Sequence, residues 1–205
     1  MKKIMFNDNY GLTKAVIEGG KTMTRRIVPR RMLASYQFES NVTPGYEKEF
    51  FLEHSSYKVG EVVAIAQSYK DISEPQDEAQ IVLDLYKIGG KLLTMEEMGA
   101  GWNNKMFVKS ELMPYAIKIT DIRAERLQDI SNEDCIREGI KVGECGNITA
   151  GFMTAYYVPN DIQPYCTPRD AFASLIDRVS GKGTWESNPF VWVYSFEVIG
   201  NPKRK

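Results

Sequence analysis

Apolar and polar residues follow two rhythms along this chain, one alternating and one repeating about every three to four residues, and together they divide it into strands and helices. Tyr115-Ala116-Ile117-Lys118-Ile119-Thr120-Asp121-Ile122-Arg123 alternates, which predicts a strand with one buried face. Pro189 to Phe196 places Phe190, Trp192, Tyr194 and Phe196 on one side of a terminal strand, an aromatic row that suits core packing better than base stacking. Shorter strands are expected over Lys3 to Phe6, Lys21 to Val28, Val59 to Ala66 (after a turn at Gly60) and Ala79 to Tyr86. The helical rhythm appears at Leu12, Ala15 and Val16, stopped by Gly19-Gly20, and at Ala171, Phe172, Leu175, Ile176 and Val179 after a Thr167-Pro168 start. Ser131-Asn132-Glu133-Asp134 reads as a capping box opening a short helix that Gly139 ends, so Glu138 falls at a helix terminus. Residues 30 to 50 read as irregular and polar with a turn at Pro44-Gly45; Asp71 to Glu78 reads as a solvated acidic loop and Gly99-Ala100-Gly101 as a loop. Strands of uneven spacing interrupted by helices predict an α+β fold, mainly β, built as a small barrel or curved sheet decorated by several helices.

A length of 205 residues suits a single domain with a real core. The net charge of -1 excludes a protein that coats nucleic acid or membranes by bulk electrostatics, so contact with either requires a patch. The three cysteines, Cys135, Cys145 and Cys166, form no C-x-x-C pair and the single histidine, His54, is distant in sequence, so no metal site is expected. No secretory signal or long apolar stretch is present, which points to a cytoplasmic protein with reduced thiols, no membrane partner and two incidental sequons at Asn41 and Asn147.

One stretch changes this bland picture. Gly19-Gly20-Lys21-Thr22-Met23-Thr24-Arg25-Arg26 gathers an ammonium, two hydroxyls and two guanidiniums, and no acidic residue intervenes between Glu18 and Glu39, while Arg30 and Arg31 extend the run. Such a local positive field suits an anionic or polar partner such as RNA or a nucleotide. Lys203-Arg204-Lys205 forms a second, terminal basic cluster.

The G-x-K-T-x-T-x-R spacing after an N-terminal helix resembles the ASCH domain, a branch of the PUA-like superfamily. Gly19, Lys21, Thr22, Thr24 and Arg26 fill that motif; Arg123 to Ser131 followed by Glu138-Gly139 is similar to the family's strand, helix and glutamate; and Trp185 to Val193 is similar to the end of its larger, phage-associated members. The resemblance implies a PUA-like pseudo-β-barrel with a cleft, formed by a single domain over residues 1–205 with insertions at about 30–58 and 141–166. Ala66-Gln67-Ser68 departs from it, standing where larger relatives often carry an Arg-Glu pair.

The resemblance implies a cleft that binds RNA or a modified nucleoside or nucleotide, with Gly19, Thr22, Arg25, Arg26 and Arg30 expected as ligand-binding residues. It also implies an alternative, a cofactor-free and metal-independent amidohydrolase removing the acetyl group of N4-acetylcytidine, with Lys21, Thr24 and Glu138 as the catalytic set. In that scheme Thr24 is the nucleophile, Lys21 its activator once burial or neighbouring cations lower its pKa, and Glu138 the acid for the leaving nitrogen. Lys21 and Thr24 are three residues apart, so an ideal strand would place them on opposite faces and a bend at Lys21 is expected. A third reading is a phage-derived accessory protein acting through protein contacts. The sequence fixes neither the ligand nor an oligomeric state.

Overall fold

A computed structural model describes residues 1–40, 47–73, 95–149 and 151–202, and the side chains at 37–40, 47–48, 73 and 95–98 lie outside that description. In chain order the strands are β1 (Lys3–Ile4), β2 (Met23–Ile27), β3 (Val62–Ile65), β4 (Tyr115–Arg126), β5 (Lys141–Asn147), β6 (Gly151–Tyr157), β7 (Pro164–Tyr165) and β8 (Phe190–Gly200). The α-helices are α1 (Leu12–Ile17), α2 (Arg30–Ser40), α3 (Glu47–Glu53), α4 (Tyr69–Ser73), α5 (Met95–Trp102), α6 (Asn132–Arg137), α7 (Pro168–Ser180) and α8 (Thr184–Ser187). The hydrogen-bonded order β1-β3-β4-β8-β2 makes an open mixed sheet, and β5-β6-β7 forms a second sheet. The protein is therefore α+β, with helix somewhat more abundant than strand rather than mainly β.

The chain divides into two compact units, Met1–Phe6 with Glu61–Lys118 and Glu197–Lys205, and Asn7–Gly60 with Ile119–Phe196. In the first, β1 pairs parallel with β3, and β3 pairs antiparallel with the start of β4 (Val62 opposite Lys118). Its core gathers Ala64, Tyr69, Val108, Leu112 and Met113. Gly101 is demanded by that packing, since a Cβ there would lie 2.3 Å from the Tyr69 ring. Around this core the Lys3 ammonium donates to the carbonyls of Met106 and Val108, both at 2.7 Å.

In the second unit β2 pairs antiparallel with β8, placing Thr24 opposite Tyr194 and Arg26 opposite Trp192. Trp192, Tyr194 and Phe196 are buried and Phe190 is half-buried, so the aromatic row packs as core. The polar ends of two of these rings find partners: Trp192 Nε1 donates to Phe51 O at 2.8 Å, and Tyr194 Oη lies 3.0 Å from Ser55 Oγ. The apolar stripe of α7 buries Ala171, Phe172, Leu175 and Ile176, while Val179 at its end is 38% exposed. Thr167 caps α7 and Ser131 caps α6 through the side-chain bonds that the sequence signatures predict.

Residues 30–40 and 47–50, expected to be irregular, belong to α2 and α3 instead. The 30–40 segment is rich in strong helix formers, and Pro29 offers the first acceptor to the Met32 and Leu33 amides. Its polarity hid it: intrinsic propensity made the helix where no apolar rhythm announced one. The 141–166 segment, expected only as an insertion, supplies the second sheet, with β5 opposite β6 from Lys141–Tyr157 to Asn147–Gly151. The Ala79 to Tyr86 strand, the turn at Pro44-Gly45, the Asn41 sequon, most of the acidic 71–78 connection and the terminal basic cluster lie outside the described residues. Among the described residues no helix is long and apolar enough to cross a membrane.

Buried Asn201 donates through Nδ2 to the carbonyls of Ser110 (2.9 Å) and Met113 (2.7 Å). Asn201→Ala leaves both carbonyls without this donor, and urea unfolding is expected to show a loss of about 1–3 kcal/mol.

Candidate functional site

The chain enters β2 through a glycine turn. Gly19 adopts a φ of 78°, the left-handed conformation expected after α1, and the Lys21 amide bonds back to Ala15 O at 2.9 Å. Lys21 and Thr22 precede the strand proper, which starts at Met23, and the Thr22 amide donates to Arg137 O at 2.9 Å. The backbone thus leaves strand geometry at Lys21 and turns its side chain toward the end of α6.

There the Lys21 ammonium, with its side chain 2% exposed, donates to Glu138 Oε2 at 2.5 Å and to Glu138 O at 2.7 Å. Gly139 has a φ of 104°, and a Cβ there would sit 3.5 Å from Lys21 Cβ, so the glycine that ends α6 also forms a wall of the lysine's slot. Burial pushes the Lys21 pKa down, the Glu138 carboxylate opposes that shift, and Arg26 and Arg25 reinforce it.

Arg25 organises the remainder. Its guanidinium, 1% exposed, reaches Glu125 Oε1 through Nη2 (2.6 Å) and Nε (3.2 Å), Asp134 Oδ2 through Nη2 (3.0 Å) and Glu138 Oε1 through Nη1 (3.1 Å). Burial alone would lower its pKa, but the three carboxylates overcome that and raise it. Arg123 bonds Glu125 Oε2 at 2.8 Å and also Asp134, while Arg137 lies 3.5 Å from Asp134 Oδ1 and donates to Ser195 Oγ. Lys21, Arg25, Arg123 and Arg137 therefore meet Glu125, Asp134 and Glu138 in one network.

Of the residues expected to be catalytic, the structure brings Lys21 and Glu138 into contact. Thr24 is buried on β2 and, by strand alternation, faces away from Arg25; among the described residues it shares no hydrogen bond with Lys21 or Glu138. Of the residues expected to bind ligand, Arg25 is enclosed by its carboxylates, Gly19 and Arg30 are exposed, and Thr22 and Arg26 are half-buried. The contribution of Lys21 and Arg25 to the positive field that the linear sequence displays is met here by acids arriving 100 to 117 residues later.

An open cavity of about 840 Å³ adjoins this network, lined by Phe51, Leu52, Ile122, Arg123, Ala124, Glu125, Arg126, Asp129 and Phe190. Arg123 and Glu125 belong to both. The Arg126 guanidinium lies 3.8 Å from the centre of the Phe190 ring, Phe190 stands 5.2 Å from Phe51, and Arg126 Nη1 donates to Asn188 O at 3.3 Å. Asp129 is exposed. Sequence reading assigned no ligand role to Arg126, Asp129 or Phe51; the available signal was the charge-dense Arg123 to Asp129 segment leaving a strand, which linear inspection does not connect to an aromatic wall.

The described residues contain no group of three or more His, Cys, Asp or Glu side chains placed to hold a metal ion. Cys135 is buried, and burial pushes its thiol up to about 12. His54 stacks on Phe50 with ring centres 4.4 Å apart, and its Nδ1 lies 2.9 Å from Phe50 O. In comparisons with known proteins, no family model, no curated protein and no solved structure matches this chain.

Arg25→Met leaves three carboxylates facing one another in the interior, and chemical denaturation is expected to show a loss of about 3–5 kcal/mol. Arg25→Lys is expected to recover little of it, because an ammonium cannot reproduce the guanidinium fork. Thiol titration near neutral pH should label Cys145 and Cys166 in the folded protein and Cys135 only after unfolding.

Proposed function

We propose that this protein is an ASCH-type, PUA-like domain that binds a nucleobase-bearing ligand, whether nucleoside, nucleotide or RNA segment, in the cavity beside the Arg25 network. The observation that carries this reading is the stack of Arg126 on Phe190 within a cavity that also presents carboxylate and guanidinium groups. A planar base offers a π face to such a stack and hydrogen-bonding edges to polar groups, and a volume near 840 Å³ accommodates a nucleoside with room to spare. Salt-dependent attraction from exposed Arg30 and Arg31 at the start of α2 supports the RNA form of the ligand.

A second reading, the amidohydrolase acting on N4-acylated cytosine, draws support from the buried Lys21 with its lowered pKa and its direct contact with Glu138. A depressed lysine pKa is what a general base requires. In this reading Lys21 must exchange its bond to Glu138 for one to Thr24 when substrate arrives.

Calorimetric titration with the four common ribonucleosides, their nucleotides and a short single-stranded RNA tests the first reading. Wild type is expected to bind at least one class, and Arg126→Ala and Phe190→Ala are each expected to weaken that binding about tenfold or more, in line with the loss of one base-stacking contact. Absence of binding to every class overturns it. Release of cytidine from N4-acetylcytidine tests the second: turnover abolished by Lys21→Ala and by Thr24→Ala supports it, and no turnover by wild type removes it.

A further inference from the structure

The polar groups lining the cavity are two cations, Arg123 and Arg126, and two anions, Glu125 and Asp129. Arg123 and Glu125 are spent on each other at 2.8 Å and on the buried network, where Arg123 also holds Asp134 and Glu125 also holds Arg25. The Arg126 guanidinium lies 3.8 Å from the centre of the Phe190 ring and donates one hydrogen bond to Asn188 O. Asp129 makes no hydrogen bond or ion pair among the described residues. What the cavity offers a ligand is therefore one stacked guanidinium and one uncommitted carboxylate, opposite in sign.

We infer that Asp129 selects bases carrying an exocyclic amino group at this cavity. This inference rests on the nucleobase-binding reading and narrows it to a ligand class. An ionised carboxylate can only accept hydrogen bonds, so it pairs with the N–H of an amine and repels a carbonyl oxygen presented at the same edge. Cytidine and uridine have nearly the same size and sugar and differ in this respect, amine against carbonyl. The guanidinium on Phe190 provides the second side of the recognition, a flat cationic surface for the base to stack on.

The test is calorimetric titration of cytidine and uridine into wild type and Asp129→Asn, with circular dichroism and thermal unfolding as controls of the exposed substitution. Wild type is expected to bind cytidine about tenfold or more tighter than uridine, the scale of one hydrogen bond to a charged group. Asp129→Asn should bring cytidine and uridine to within about threefold of each other, because an amide can donate as well as accept. Equal binding of cytidine and uridine by wild type, or a preference that survives Asp129→Asn, overturns selection by Asp129 while leaving the nucleobase reading standing. If wild type binds no nucleoside or nucleotide, the inference and the reading beneath it fall together.

Discussion

Everything around the candidate site depends on satisfying one buried guanidinium. Arg25 sits on the inward face of β2 with its side chain 1% exposed, a position in which an unpaired charge would be prohibitive. Three carboxylates converge to pay for it, Glu125 from β4 and Asp134 and Glu138 from α6 and its end. Because a guanidinium is a planar fork, it fixes the directions of these acids as well as their distances. Glu138 is thereby aimed with one oxygen at Arg25 and the other at Lys21, and Glu125 is held where β4 meets the cavity. The turn into β2, the end of α6 and the last residues of β4 have compatible positions because this cluster must close.

How legible this was in the sequence depends on the range of the interaction. Helix caps at Ser131 and Thr167, the glycine stop at Gly19 and the alternation of β4 are governed by neighbours a few residues apart, and reading the chain locally was enough. The aromatic face of β8 was legible too, since alternation in a terminal strand leaves large rings little choice but the core. Residues 30–40 were opaque because their helix is made by propensity without an apolar stripe. The strands of the 141–157 hairpin were opaque for a related reason: most of their positions are exposed, so no buried face imprints a rhythm on the sequence.

The site shows the same divide. Lys21, Arg25 and Glu138 could be picked out by type and position, yet their electrostatic meaning could not. Read along the chain, Lys21 to Arg31 is a positive patch; in the folded unit, Lys21 and Arg25 are interior members of a nearly balanced cluster. Charge summed over a segment describes a surface only when its side chains reach the surface. The cavity was harder still, because its aromatic wall joins Phe51 and Phe190, 139 positions apart, with Arg126 at the end of β4. The cluster and the cavity differ accordingly: Lys21 and Arg25 are enclosed among carboxylates, while the cavity is open and presents Arg126 and Asp129.

Arg123 and Glu125 nevertheless belong to both, facing the cavity while gripping the interior. Occupancy of the cavity and integrity of the fold are therefore coupled quantities. A molecule seated against these two residues draws the conformational equilibrium toward the native state in proportion to the logarithm of its concentration over its dissociation constant, whatever chemistry follows. On the proposed ligand-binding reading, loosening the interior cluster would weaken occupancy without touching any group that contacts the occupant, and the protein's melting behaviour would itself sense what fills the cavity.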